Sequence, residues 1–306
     1  WGLEWTGEEV IACCDRGVYV CKGSGVAARF PTDGAWKAVL LDGHPELLLG
    51  CSYTRFFLLE KRFGSWRFGG WLSGFDEAGK SFEQDADGRI WFSHHVKGLY
   101  RLTLAEDMHS FSEVEKFGAA QGFPTDRGNY PAEYHGNIVF STEGGFYSYD
   151  NLNGRAVAVD ELNRRFEGTA NSIGVFETPL GSMRYYSSGA MQAVEFRGED
   201  GTVMDSLSLR FLVNRRPVGF ECMESLSESE LLLNTNEGFA VIDLGRLVRT
   251  RSRTGDPVYI SSVATTDNGE VLYRGASNFD DARTIRVPHK LNSLEFKFIS
   301  PVFDSY

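Results

Sequence analysis

Asp85-Ala86-Asp87-Gly88-Arg89-Ile90-Trp91-Phe92-Ser93, followed after a short polar connector by Gly98-Leu99-Tyr100-Arg101-Leu102-Thr103-Leu104, is the stretch that decides the fold. Asp-x-Asp-Gly is a turn with a mechanism. Aspartate side chains accept bonds from nearby backbone amides, and glycine supplies the positive φ that other residues resist. Arg89–Ser93 then reads as a strand rich in aromatic and β-branched residues, and Leu99–Leu104 as its antiparallel return.

Weaker copies of this hairpin recur along the chain. Glu9–Cys14 with Gly17–Cys21 is the first, and Glu46–Cys51 with Phe56–Lys61 the second. Asn137–Ser141 with Phe146–Tyr149, Met183–Tyr186 with Met191–Phe196, and Glu230–Leu233 with Phe239–Ile242 follow the central copy. The return strands open at Val18, Phe56, Leu99, Phe146, Met191 and Phe239, separated by 38, 43, 47, 45 and 48 residues. A period in the forties built from β-hairpins is the signature of propeller blades, each a four-stranded sheet. No helical apolar periodicity competes with it, and the one short helix is expected near Asp160–Phe166. Gln121-Gly122-Phe123-Pro124 reads as a non-helical connector between repeats.

The chain is therefore expected to be all-β: six visible blades, part of a seven-bladed ring, over residues 1–245. An exposed linker follows over 246–257, and then an incomplete immunoglobulin-like β-sandwich over 258–306. Its strands are expected at Val258–Val263, Glu270–Tyr273, Arg283–Val287 and Leu294–Ile299, with an Asp267-Asn268-Gly269 turn.

Composition narrows the function. The chain has 306 residues, 42% hydrophobic and 24% charged, and a net charge of −11. That balance argues for a folded globular protein and against a nucleic-acid surface. No apolar run approaches the roughly 18 residues of a membrane span, and no signal peptide is present. A start at Trp1 and a stop at Tyr306 in mid-pattern read as an excised fragment, joined to a membrane only through missing segments. The five cysteines (Cys13, Cys14, Cys21, Cys51, Cys222) are odd in number and include no CxxC, so neither a disulfide framework nor a zinc site is expected. With a turn at Asp15-Arg16-Gly17, Cys13 lies near Tyr19 and Cys21 near Ile11, and the two thiols do not face each other.

Chemistry is less legible. His94, His95 and Lys97 form the most reactive-looking group, either a ligand-facing loop or an ordinary connector. Consecutive histidines in a strand point to opposite faces and do not readily share a metal. Asp85-x-Asp87-Gly88 lacks the later acidic ligands of a calcium loop, with Arg89 and Val96 at those positions. Trp66, Phe68 and Trp71 with Arg62 and Arg67 read either as a glycan platform or as rings packed between blades. Asp76-Glu77 and Glu113 with Glu115 sit in polar loops with nothing apolar to raise a pKa. No catalytic set, metal site or cofactor is expected.

Asp87-Gly88-Arg89-Ile90-Trp91 with Gly98-Leu99-Tyr100 resembles the repeat of the two-component regulator propeller family. Gln121-Gly122-Phe123-Pro124 resembles that family's connector, and Asn292-Ser293-Leu294-Glu295-Phe296-Lys297-Phe298 the opening of the triple-tyrosine domain that follows such propellers. Only the central hairpin has the full Asp-Gly-Ile-Trp form; Phe140 and Tyr186 stand at equivalent places elsewhere. The resemblance implies the periplasmic input region of an inner-membrane sensor, as in Bacteroidetes hybrid histidine kinases or regulators of the LuxR type. It would bind a small saccharide or other small molecule, with a homodimer through the C-terminal sandwich. A carbohydrate-active lyase or glycosidase and a protein-interaction scaffold are the alternatives.

Overall fold

A computed structural model describes residues 1–23, 25–79, 81–166, 172–186, 193–209, 212, 214–246, 259–267, 269–274, 287–291 and 293–299. The central hairpin is held by one side chain. Asp85 Oδ1 accepts the amides of Asp87 (3.0 Å) and Arg89 (2.9 Å). Its Oδ2 accepts Trp91 Nε1 at 2.9 Å and Arg89 Nε at 3.2 Å. Gly88 takes φ 81° to close the turn. At the far end Gly98 adopts φ 100°, and a Cβ there would lie 2.3 Å from the Asp126 carbonyl oxygen.

The same unit builds residues 1–248, one of two compact units. The first sheet holds β1 (Gly2–Trp5), β2 (Val10–Cys14), β3 (Gly17–Lys22) and β4 (Gly25–Phe30). The second holds β5 (Ala35–Leu41), β6 (His44–Ser52), β7 (Phe56–Arg62) and β8 (Ser65–Trp71). The third has β9 (Ser81–Gln84), β10 (Ile90–His94), β11 (Gly98–Leu104) and β12 (Phe111–Phe117). The fourth has β13 (Tyr130–Tyr134), β14 (Asn137–Thr142), β15 (Gly145–Asp150) and β16 (Arg155–Ala158). The fifth comprises β17 (Ser172–Thr178), β18 (Gly181–Tyr186), β19 (Ala193–Arg197) and β20 (Val203–Ser208). The sixth comprises β21 (Met223–Ser227), β22 (Glu230–Thr235) and β23 (Gly238–Asp243).

Strands within each of these sheets run in chain order, and all are antiparallel. Every hairpin read from the sequence is the second and third strand of one sheet. The return-strand marker Met191 lies outside the described residues. The longest helix among them is α1 (Asp160–Arg165). The connector before Phe123 is not free of helix: Ala119–Gln121 is a single 3₁₀ turn, closed by Gly122 in the left-handed region.

The first strand of each sheet packs against the first strand of the next, from β1 through β5, β9, β13 and β17 to β21, and β21 packs against β1. Six first strands thus follow one another around a closed circuit, although no sheet closes on itself. Among the described residues no seventh set of strands stands between β21 and β1.

The core lies between successive sheets. Ile11, Val18, Phe57 and Leu59 fill the first joint, and Phe56, Phe82, Phe92 and Leu102 the second. Phe56 and Phe57 are neighbours that point to opposite faces of one strand, so a run of apolar residues serves two joints at once. Trp91, Phe117, Phe123 and Phe140 occupy the third joint. Phe146, Leu162 of α1 and Val175 occupy the fourth, and Met183, Phe196, Leu231 and Leu233 the fifth. Among the described residues, Leu3, Cys222 and Leu232 are the buried apolar residues of the joint between β1 and β21.

Two sequence expectations need correction. The first hairpin turns on two residues, Asp15 and Arg16, because Gly17 opens the return strand at φ 111°. Cys14 therefore pairs with Gly17, Cys13 with Val18 and Cys21 with Val10, one residue off the expected register. All five thiols are free.

Residues 249–306 form the second unit. It contains β24 (Tyr259–Thr265), β25 (Val271–Arg274) and β26 (Leu294–Ile299), in the order β25-β24-β26. Most of the linker (247–257) and of the expected Arg283–Val287 strand lies outside the described residues. A second sheet, which a sandwich requires, is not among them. Ile260, Phe296 and Phe298 are exposed on this sheet.

Candidate functional site

One charged residue on each of five first strands decides the character of the space between them. A strand shows successive side chains to opposite faces, so Leu3 of β1 enters a joint while Glu4 turns to the interior. The cavity between these strands measures about 560 Å³ and is lined by residues of all six of them. That volume lies within the roughly 300–1,000 Å³ of small-molecule pockets. Glu4 (β1), Lys37 (β5), Glu83 (β9), Glu133 (β13) and Glu224 (β21) line it, together with Trp1, Trp36 and Phe220.

The charges are unbalanced. Lys37 pairs with Glu83. Burial opposes the lysine charge, but Glu83 and Glu4 outweigh it and hold the ammonium above its ordinary pKa. Glu4 Oε1 accepts the Leu40 amide at 2.7 Å. Glu133 Oε1 accepts the Gly136 amide at 2.6 Å, and the residue is exposed. Among the described residues Glu224 has neither a hydrogen bond nor an ion pair. Burial pushes Glu4 up to about 7, against the Leu40 bond and the Lys37 charge. Burial and repulsion from Glu4 push Glu224 up to about 8. Both side chains are half-buried.

The rings sit together. Trp1 and Phe220 have centroids 4.2 Å apart, and Trp36 lies 5.9 Å from Phe220 with planes inclined by 11°. Trp1 Nε1 donates to the Tyr53 hydroxyl at 2.6 Å, which fixes the indole. An apolar wall thus faces a set of carboxylates. No three His, Cys, Asp or Glu side chains among the described residues are placed to hold a metal ion.

The residues singled out in sequence lie elsewhere, in two groups. Arg62, Trp66, Arg67 and Trp71 are on β7 and β8, at the outer edge of the second sheet. Trp66 is 4% exposed in the first joint, and its Nε1 donates to Glu9 Oε2 at 3.0 Å. It is a core ring. An irregularity between Leu58 and Leu59 skips Gly69 and brings Trp71 onto the face of Phe68. Those two rings contact each other and Phe57, and Arg55 lies 4.5 Å over Trp71. Arg62 donates to Glu60 Oε2 at 2.7 Å, and Arg67 is exposed.

His94, His95 and Lys97 stand in the β10–β11 turn. β10 ends at His94, so the opposite-face rule does not reach His95, and the two rings stack at 4.9 Å with planes 10° apart. His94 Nδ1 accepts the Val96 and Lys97 amides, each at 3.0 Å, so the turn is built around the imidazole. Burial, then His95, hold its pKa below the ordinary value. Lys97 pairs with Glu77, which lies 3.8 Å from His94 Nε2.

No family model matches the chain. No curated protein matches it either. Among solved structures, it is similar to the extracellular domain of a protein designated a one-component system in B. thetaiotaomicron, at 12% identity and TM-score 0.46, over 87% of this chain and 34% of that one. It is also similar to Kuenenia stuttgartiensis hydrazine synthase, at 10% identity and TM-score 0.49, over 83% of this chain and 79% of that one. The chain spans about a third of the length of the first. Likenesses this distant transfer neither fold nor activity. No helix among the described residues is long and apolar enough to cross a membrane.

The cavity carboxylates escaped sequence reading, yet they left a signal. A charged residue stands in each first strand, at Glu4, Lys37, Glu83, Glu133, Glu177 and Glu224; the β17 residue, Glu177, pairs with Arg165 and is not part of the cavity wall.

Proposed function

We propose that this chain is the extracytoplasmic sensing part of a signal-transduction protein: a six-bladed β-propeller that takes a small saccharide in its axial cavity. The observation that carries the reading is a cavity walled by six strands, with rings on one part and carboxylates on another. Aromatic faces stack on the C–H faces of sugars, and carboxylates accept bonds from hydroxyls. The resemblance of the Asp85–Leu104 hairpin to sensor propellers, and of Asn292–Phe298 to the domain that follows them, supports the signalling role. In that role the sheet of residues 249–306 opens an immunoglobulin-like module leading to a membrane segment and an output domain, a histidine kinase or a helix-turn-helix regulator. Ile260, Phe296 and Phe298 would pair two such modules in a homodimer. Trp71, Arg62, Arg67, His94, His95 and Lys97 are proposed as outer contacts for a longer glycan. Trp66 is not.

One observation favours a second reading. Glu4 and Glu224, with raised pKa values in a cavity, are the kind of groups that serve a glycosidase or lyase as general acid. Calorimetric titration with a panel of saccharides, run beside a turnover assay on the same panel, separates the two. Binding without turnover supports the sensor, and turnover abolished by Glu224→Gln supports the enzyme. Neither binding nor turnover refutes both and leaves a scaffold.

A further inference from the structure

We infer that the occupant of the axial cavity carries an ammonium group; this rests on reading that cavity as the ligand site. The argument is one of charge and partners. Five glutamates line the cavity (Glu4, Glu83, Glu133, Glu221 and Glu224) with Lys37 and Trp1; Lys37 is already committed to Glu83, and the Trp1 ammonium donates to the Cys13 carbonyl oxygen. Glu4 has one backbone amide for its two oxygens. Glu224 has no hydrogen bond or ion pair among the described residues, although it points into the same space. A carboxylate buried in this way is costly unless it is paired. Burial holds both groups above their ordinary range, so each favours a proton or another cationic partner. A ligand ammonium would serve better than a proton, because it adds donors as well as charge.

The rings point the same way. A cation is drawn to the face of tryptophan or phenylalanine within about 6 Å, and more strongly where water is scarce. Trp1, Trp36 and Phe220 supply such faces on the cavity wall. A neutral sugar could use the rings but would leave the charge imbalance unanswered. An anion would be repelled. On the saccharide reading the ligand is therefore an amino sugar with its nitrogen unacetylated.

The test is calorimetric titration of the full chain at pH 7 with four probes: the β1,4-linked glucosamine disaccharide, its N-acetylated counterpart, cellobiose and 1,4-diaminobutane. The expected result is a Kd for the amino disaccharide at least about tenfold below those of the two neutral ones. Glu224→Gln should erase most of that preference. Binding should also release protons, read as a heat that changes with the ionisation enthalpy of the buffer. If Glu224→Gln fails to fold, Glu4→Gln and the probe series on the unaltered protein give the same comparison. Equal affinity for the three disaccharides would overturn the inference and leave the saccharide reading standing. Binding of the diamine alone would uphold the ammonium and overturn the saccharide. No binding by any probe would overturn both.

Discussion

Trp91→Ala should lower the melting temperature of the protein by about 10 °C. The indole is 2% exposed, and its ring centroid lies 4.8 Å from Phe117, 4.9 Å from Phe140 and 5.5 Å from Tyr149. It joins β10 and β12 of the third sheet to β14 and β15 of the fourth, so its removal opens a cavity in a joint between sheets. Truncating a buried aromatic to alanine costs about 3–5 kcal/mol. For a unit of roughly 250 residues each kcal/mol moves the midpoint by about 2–4 °C, giving a fall of about 6–20 °C. Trp91→Phe isolates the polar part. It keeps most of the packing but strips Nε1 from Asp85 Oδ2, a bond of 2.9 Å to a carboxylate. Such bonds contribute about 1.5–3 kcal/mol, and the lower figure applies here. Asp85 Oδ2 retains Arg89 Nε at 3.2 Å. Scanning calorimetry on the wild type, both variants, Asp85→Ala and the double variant Trp91→Phe/Asp85→Ala measures the set. The two single changes should be non-additive by about 0.5–3 kcal/mol, since they share one bond. A Trp91→Ala midpoint within about 2 °C of wild type would refute the placement of this ring in the joint.

Other outcomes follow from the same structure. Glu4 and Glu224 bind protons in the folded state up to about 7 and about 8, against an unfolded carboxyl near 4.5. The folded chain thus holds more protons between those values, and stability should fall as pH rises from about 4.5 to about 8; melting curves across that range should flatten in Glu4→Gln/Glu224→Gln. A reducing agent should leave the melting curve in place, and a thiol reagent should label Cys14 and Cys21 in the native protein. Cys13, Cys51 and Cys222 should react only after denaturation, because they are buried and burial pushes Cys51 and Cys222 up to about 12. Residues 258–306 expressed alone should aggregate through Ile260, Phe296 and Phe298; well-dispersed amide resonances from a monomer would show a self-sufficient module.

What was legible in sequence was local. A hairpin carries both strands and its turn within about 20 residues, and Asp85 to Trp91 needs only six to set turn, strand and indole bond. The single-residue slip at Cys13 arose at that same scale, because two- and three-residue turns read alike until Gly17 is seen in the left-handed region. The cluster from Arg62 to Trp71 misled for the opposite reason. Rings close in sequence on an outer strand collect where sheets meet, so Trp66 is core. The cavity could not be read, because its wall is made of short strands that lie about a repeat apart in sequence. An isolated Glu4 or Glu224 in such a strand looks like a solvent-facing residue until the circuit closes. Closure also decides what these two do to each other. They stand on β1 and β21, across the joint where Leu3, Cys222 and Leu232 pack and the Trp1 ring meets Phe220. Repulsion between the two carboxylates therefore acts across that joint. Whatever neutralises the pair, a proton or the ammonium proposed above, removes that repulsion. A ligand shifts a protein only through an element whose interactions differ between its states, and on this reading the β1–β21 joint is the element through which an occupant of the cavity would act.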